Sequence, residues 1–501
     1  MPLTYGYNDE TLAVGKFLGS AFAYKNYTGA NLTFGDTVIK NLAYTQDRYF
    51  SAYANVAYTL DGKYTLSASA RTDASNFITD DPKYRYAPFW SVGAKWIASK
   101  EDFLASADGV DYLAFRLTYG YNGNVDRNTS VWPVLSYNTA QDALIQDHTA
   151  TFSSFGNTSM RWERTGTVDF GIDFDFWGGA LSGKLDIYNK KGRDLLATIN
   201  LPGATGAASN KINAAEMTNR GFELELGTSQ KWGDFSWHGN LMLAYNFNRI
   251  DKMIRTSYTG YNLTGNSGGD EARYRAGYNA NTLWSYEYGG MINIGTDAAP
   301  AYYPSIMQGD KKVTPVNNQT GDWSEWMINS GTWVAPWNLS LSNTFSYGNF
   351  DFSFLITSKF GHKFRRLVFN YPLMPRNLPN LAMDEVLEQN GDKYFPFAAA
   401  PYTDYPLASN ISRDMNWWNS YIRYMTYGIA SATYFRLQEV TLAYRLPAPL
   451  VKRIGIGGLS VYLKGNNLAL LTFNKYHEDP EFPLGNVRPV ASGTLGINFT
   501  F

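Results

Sequence analysis

Cysteine is absent from all 501 residues. Disulfides, thiolate metal sites and cysteine nucleophiles are thereby excluded. The absence assigns no compartment, but it suits a chain that must cross an oxidising space unfolded. Charge of one sign is lacking too: 43 Lys and Arg stand against 44 Asp and Glu, a net −1. Neither nucleic acid nor an anionic surface is indicated as the main partner. There is no run of about 18 apolar residues, which excludes a membrane-spanning helix. Membrane-spanning strands stay open, because their alternation keeps bulk hydropathy low. The opening MPLTYGYNDETLAVGKFLGS has no basic stretch followed by an apolar core, so it does not read as a signal peptide. The expectation is a mature chain or a fragment. No Walker loop, nucleophile elbow or glycine-rich dinucleotide turn occurs. His148, His238, His362 and His477 show no metal-ligand spacing. No enzyme activity, cofactor or metal site is expected.

Aromatic residues, by contrast, are abundant at 16% of a chain whose overall apolar content is an ordinary 44%. Many stand in strict alternation. In VDFGIDFDF, Val168, Phe170, Ile172, Phe174 and Phe176 alternate with Asp169, Gly171, Asp173 and Asp175. Successive side chains of a strand point to opposite faces, so this segment has one apolar face and one carrying three carboxylates. The period recurs at Phe50–Leu60, Tyr64–Ala70, Leu113–Tyr119, Phe222–Leu226, Leu241–Phe247, Phe350–Ile356 and Leu495–Phe501. It predicts strands near 47–60, 63–74, 88–98, 111–121, 161–176, 179–190, 219–230, 234–250, 336–347, 349–360, 434–446, 459–468 and 491–501. A weaker signal lies near 12–24.

The connections alternate short and long. Asp61-Gly62, Trp177-Gly178-Gly179, Lys231-Trp232-Gly233 and Tyr347-Gly348-Asn349 are tight turns, and 99–110 and 447–458 are modest links. Between them come 75–87, 122–160, 191–218, 251–335, 361–433 and 469–490. Short turns on one rim and long loops on the other are the arrangement of transmembrane barrels. The fold class expected is therefore all-β, a transmembrane antiparallel β-barrel. Its phenylalanines should face lipid and its aspartates a wet lumen.

The lumen face should offer Asp169, Asp173, Asp175, Asp186, Glu223, Glu225, Lys184, Arg71 and Arg116. Paired carboxylates such as Asp173 and Asp175 also fit acid–base chemistry or a hard-cation site, but a solvated inner wall is the plainer reading. The long loops hold Trp323 and Trp326, and NWWNSYIRYMTYG with Trp417, Trp418, Tyr421 and Tyr424. Such residues stack on sugars, anchor protein interfaces, or simply pack and form interfacial belts. All three roles stay open.

DRYFSAYANVAYTLDGKYTLSASARTDASNF, PFWSVGAKWIASKEDFL, DYLAFRLTYGYNGN, MRWERTGTVDFGIDFDFWGGALSGKLDIYNKKGRDLL, MTNRGFELELG, YFRLQEVTLAYRLP, VYLKGNNLALLT, EDPEF and TLGINFTF occur in that order. Together they resemble the SusC-like (SusC/RagA) TonB-dependent outer-membrane transporters. The resemblance covers about 47–501 and leaves 1–46 as an N-terminal segment with a partial strand and loop. It implies the C-terminal 13–14 strands of a 22-stranded barrel, entered at about the tenth strand, with the plug and its TonB-contacting segment missing. It further implies uptake of oligosaccharides or peptides, a SusD-like surface lipoprotein as lid, energy from TonB, long loops outside and the C-terminus in the periplasm of a Gram-negative cell. Asp479-Pro480-Glu481 matches a family motif, read here as a structural turn. Two rival readings are a secreted β-rich carbohydrate-binding protein, which has no reason to sort loops by parity, and a plugless passive porin, whose even strand count conflicts with thirteen.

Overall fold

A computed structural model describes residues 48–500 together with 22–25 and 31–34. Within 48–500 it excludes 77, 79–81, 106, 127–128, 130, 202–208, 255–257, 265–272, 294–295, 297–301, 314–323, 367–386, 390–391, 395–421, 454 and 484–486. One antiparallel sheet of 13 strands dominates. Its strands are β1 (Tyr49–Leu60), β2 (Tyr64–Ser75), β3 (Ala87–Ile97), β4 (Val110–Asn124) and β5 (Glu163–Phe176). Then come β6 (Leu181–Asn200), β7 (Ser209–Trp232), β8 (Phe235–Lys252) and β9 (Trp337–Tyr347). The last four are β10 (Phe350–Phe360), β11 (Tyr434–Arg445), β12 (Gly458–Thr472) and β13 (Ser492–Thr500). Each strand pairs with its sequence neighbours throughout. All thirteen expected strands are present. Of the weaker segment near 12–24, residues 12–21 lie outside the described ones. Phe22–Lys25 pairs with Asn31–Phe34 in a separate two-stranded ladder.

Register converts alternation into two faces. Tyr58, Leu66, Ala94, Leu117, Phe170, Ile187, Phe222, Tyr245, Trp337 and Phe360 stand directly opposite one another from β1 to β10. Much of this row is open, with Phe170 37% and Ile187 47% exposed. A continuous apolar row across ten strands is far more than a water-facing surface carries, so this face requires an apolar neighbour. On the other face Asp173, Lys184, Glu225, Met242, Ser340, Thr357 and Arg436 form the matching row from β5 to β11, polar at every position but Met242.

The tight turns rely on left-handed residues. Asp61 and Gly62 adopt φ of 51° and 64°, and Gly348 58°, a conformation that matches the strand twist and that glycine adopts without strain. At the other rim, 191–218 is not the loop expected from sequence. β6 and β7 run on as a ladder to Asn200↔Ser209. A bulge between Gly192 and Leu195 puts the apolar period out of step there, which hides the continuation from a period-2 reading. Other loops also fold: Val134–Gln141 pairs with His148–Ser154, and Thr282–Tyr286 with Met327–Thr332. Ile78, Ala87, Phe89, Val131, Met160 and Trp162 form a small core over the ends of the strands.

The two longest loops are tied together. Met425 bridges Tyr286, and Thr426 Oγ1 accepts from Tyr288 N at 3.0 Å. Arg365 donates to the Trp284 carbonyl at 2.7 Å, to Ser285 Oγ at 3.1 Å and to the Arg423 carbonyl at 3.1 Å. Burial lowers the Arg365 guanidinium to about 10, still charged at neutral pH.

Candidate functional site

The polar face carries the chemistry. Asp173 and Asp186 leave β5 and β6 on this face because Ile172, Phe174 and Ile187 occupy the other. Arg116 on β4 holds both carboxylates. Its Nε and Nη2 donate to Asp173 at 2.8 and 3.1 Å, and Nη2 also donates to Asp186 at 2.8 Å. Asp169 lies four residues before Asp173 on the same face, half-buried. Oδ1 of Asp175 is buried with no hydrogen-bond partner among the described residues.

Glu223 and Glu225 are exposed and open into a cavity of about 620 Å³ that spans β6 to β11. Its polar lining also includes Lys184, Asp186, Asn338, Lys359, Tyr434 and Glu481. This volume is within the roughly 300–1,000 Å³ range of ligand sites. Both charge signs are present, so the wall suits a polar ligand with donors and acceptors more than a simple ion.

The cavity is roofed by a segment that sequence reading undervalued. In Glu478-Asp479-Pro480-Glu481, three carboxylates meet cations from the sheet and the neighbouring loop. Arg436 on β11, only 4% exposed, donates from Nη2 to Asp479 Oδ1 and Oδ2 at 3.0 and 2.8 Å and from Nη1 to Asn467 Oδ1 at 2.8 Å. Arg366 Nε donates to Glu478 Oε2 at 2.6 Å, and its guanidinium lies 3.2 Å from the centre of the Tyr476 ring. Lys359 Nζ donates to Glu481 Oε1 at 2.7 Å. Burial opposes the Glu481 charge, but the Lys359 and Tyr434 hydrogen bonds prevail and hold its carboxyl below the usual range. Beside them His362 is buried with Nδ1 unpartnered among the described residues. Burial, helped by Lys359, lowers its pKa to about 4. Arg436 and Arg366 were not singled out from sequence. Nothing local distinguishes them, because the loop that buries them comes 40 or more residues later.

Of the loop aromatics, Trp323, Trp417, Trp418 and Tyr421 lie outside the described residues. Trp326 ends the 3-10 turn Ser324–Trp326, partly buried, at the foot of strand Met327–Thr332.

A family described as TonB dependent receptor-like, beta-barrel, matches residues 2–468. The chain belongs to this family. The match takes in residues 2–46 as well as the quoted segments up to residue 468. Among its relatives, a TonB-dependent receptor of Formosa agariphila is 26% identical over 90% of this chain and 46% of its own length. The TonB-dependent receptor SusC of Bacteroides thetaiotaomicron is 25% identical over 62% of this chain and 31% of its own. The structure of the RagAB peptide transporter superposes with a TM-score of 0.67 at 20% identity, covering 91% of this chain and 48% of that one. The chain thus spans about half the length of the relatives it matches. The receptor family is an outer-membrane β-barrel family of the SusC/RagA type, and the matched relatives are receptors and transporters, not enzymes.

Proposed function

We propose that this receptor chain forms wall and rim of a TonB-dependent importer for a polar nutrient, an oligosaccharide or a peptide. The supporting observation is the polar face, on which Glu223, Glu225, Lys184 and Lys359 surround a 620 Å³ cavity opposite a continuous apolar face. In this reading the apolar rows meet lipid and the polar face, with Asp169, Asp173 and Asp175, lines the lumen. The long loops lie outside the cell and Phe501 ends in the periplasm. TonB supplies energy through a plug, and a SusD-like lipoprotein covers the loop rim. Trp323, Trp326, Trp417, Trp418 and Tyr421 are candidates for contact with the lid or the nutrient. The names of the relatives favour this assignment over a passive porin or a secreted binding protein.

Uptake of a labelled oligosaccharide or peptide by cells dependent on this receptor tests it. Uptake should vanish when TonB is deleted and fall when Glu223 and Glu225 are both replaced by Ala. Import that persists at the parental rate without TonB would sink the proposal in favour of a passive pore.

A further inference from the structure

The apolar face is uneven near its long-loop edge. On β4, Tyr119 and Tyr121 form an aromatic cluster with Trp90 of β3. On β8 and β9, Tyr245 and Trp337 do the same, with ring centroids 4.5 Å apart. Interfacial aromatics of this kind mark the boundary between hydrocarbon and headgroups. Between the two clusters the girdle is interrupted. The register row at that height reads Tyr119, Val168, Asn189, Arg220, Phe247, and the row above it Tyr121, Gly166, Lys191, Thr218, Arg249. Small and basic side chains replace rings on β5, β6 and β7.

The interruption leaves a groove of about 880 Å³. Its apolar lining is Val168, Phe170, Ile187, Phe222, Tyr245 and Phe247, and its polar lining includes Asn189 and Arg220. Arg220 is exposed and lies 5.0 Å from the centre of the Phe247 ring. Among the described residues it has no carboxylate partner. The neighbouring cations are differently placed: Arg249 is held by Asp251 at 2.8 Å, and Lys191 reaches Glu216 only at 3.7 Å. Lys191 and Arg249 thus each have a carboxylate within reach beside the groove, whereas Arg220, which lines it, has none among the described residues.

We propose that this groove binds an anionic membrane lipid. One acyl chain lies along Phe170, Ile187 and Phe222, and the headgroup phosphate is held by Arg220, with Asn189 and Lys191 beside it. The heights agree. Arg220 stands one register step above Phe222, about 7 Å along the strand, so its guanidinium reaches the headgroup layer while the groove below stays in hydrocarbon. A guanidinium is suited to phosphate through its fork of donors, and cations at this level favour anionic lipids. The proposal rests on the apolar face meeting lipid, and goes beyond import.

The test uses the full-length receptor in nanodiscs of equal dioleoyl phosphatidylcholine and dioleoyl phosphatidylglycerol, followed by native mass spectrometry during stepwise delipidation. One phosphatidylglycerol should be retained over phosphatidylcholine by about fivefold. R220Q should abolish that preference with heat-modifiable migration unchanged, and R220K should keep part of it. F222A should weaken retention of both lipids. R445Q, which removes a cation bound to Asp351 at the opposite rim, should change nothing. Equal retention of the two lipids by the parent, or undiminished preference in R220Q, would overturn the site while leaving the membrane reading intact. Failure of the parent to enter nanodiscs would overturn both.

Discussion

Arg116 on β4 reaches Asp186 on β6 across the whole width of β5, with Nη2 at 2.8 Å from Oδ1. Gly171 makes this possible. A Cβ there would stand 2.5 Å from Nη2 of Arg116 and 2.8 Å from Oδ1 of Asp186. The missing side chain is the space in which a three-strand charge cluster sits.

Gly171→Ala should therefore displace the guanidinium and cost roughly 1–2 kcal/mol, the worth of one charge-assisted hydrogen bond. Arg116→Ala should cost about as much or somewhat more. The double mutant should cost clearly less than the sum, because both changes remove the same contact. Urea unfolding from liposomes measures the cycle, and strict additivity would contradict the bridge.

The two faces should respond oppositely to charge. Phe174 packs its ring over Gly183 on the apolar face. Phe174→Arg should cost roughly 2–4 kcal/mol if it lies near mid-membrane. Asp173→Asn should cost only about 1 kcal/mol, because it loses charge assistance from Arg116 but keeps an acceptor. The reverse order of the two effects would exchange the faces.

The rim segment depends on Arg436. Removing it leaves Asp479, 3% exposed, as an unpaired buried charge, which costs about 3–5 kcal/mol. Arg436→Met should release the segment after β12 to limited proteolysis. Arg436→Lys should restore little, since lysine lacks the fork that serves Asp479 and Asn467 together. A protease map identical to the parent would show that the clamp is not what holds the segment.

Acid should loosen the same segment in two stages. His362 has its pKa lowered from 6.5 to about 4. As pH falls below 6.5 the unfolded form takes up a proton that the folded form resists, so the stability present above that pH is lost down to about 4. Glu481, held below its ordinary 4.5, adds a further loss as pH falls through that lower range. His362→Phe should remove the first stage only. Proteolysis or thermal unfolding between pH 7 and pH 4 reads both.

Legibility in the sequence followed distance along the chain. Phe170, Phe174 and Phe352 announced their strands because each alternates locally with polar or small neighbours. Asp61-Gly62 announced its turn because glycine tolerates the left-handed conformation there. The continuation of β6 past Gly192 was hidden by a bulge that breaks the period. Asp173 was legible as a polar-face residue, but its grip by Arg116, 57 positions earlier, was not. Arg436 read like any wet-wall arginine such as Arg71. Only packing against a loop 43 positions later makes it a buried clamp.

Arg365 gives the rim a mechanical character. Its guanidinium holds the Trp284 and Arg423 carbonyls at once, and these belong to the two longest connections of the chain. With the Met425–Tyr286 bridge and the Tyr288–Thr426 hydrogen bond it forms a rivet between the two segments, so the rim should shift as one piece rather than as two independent loops.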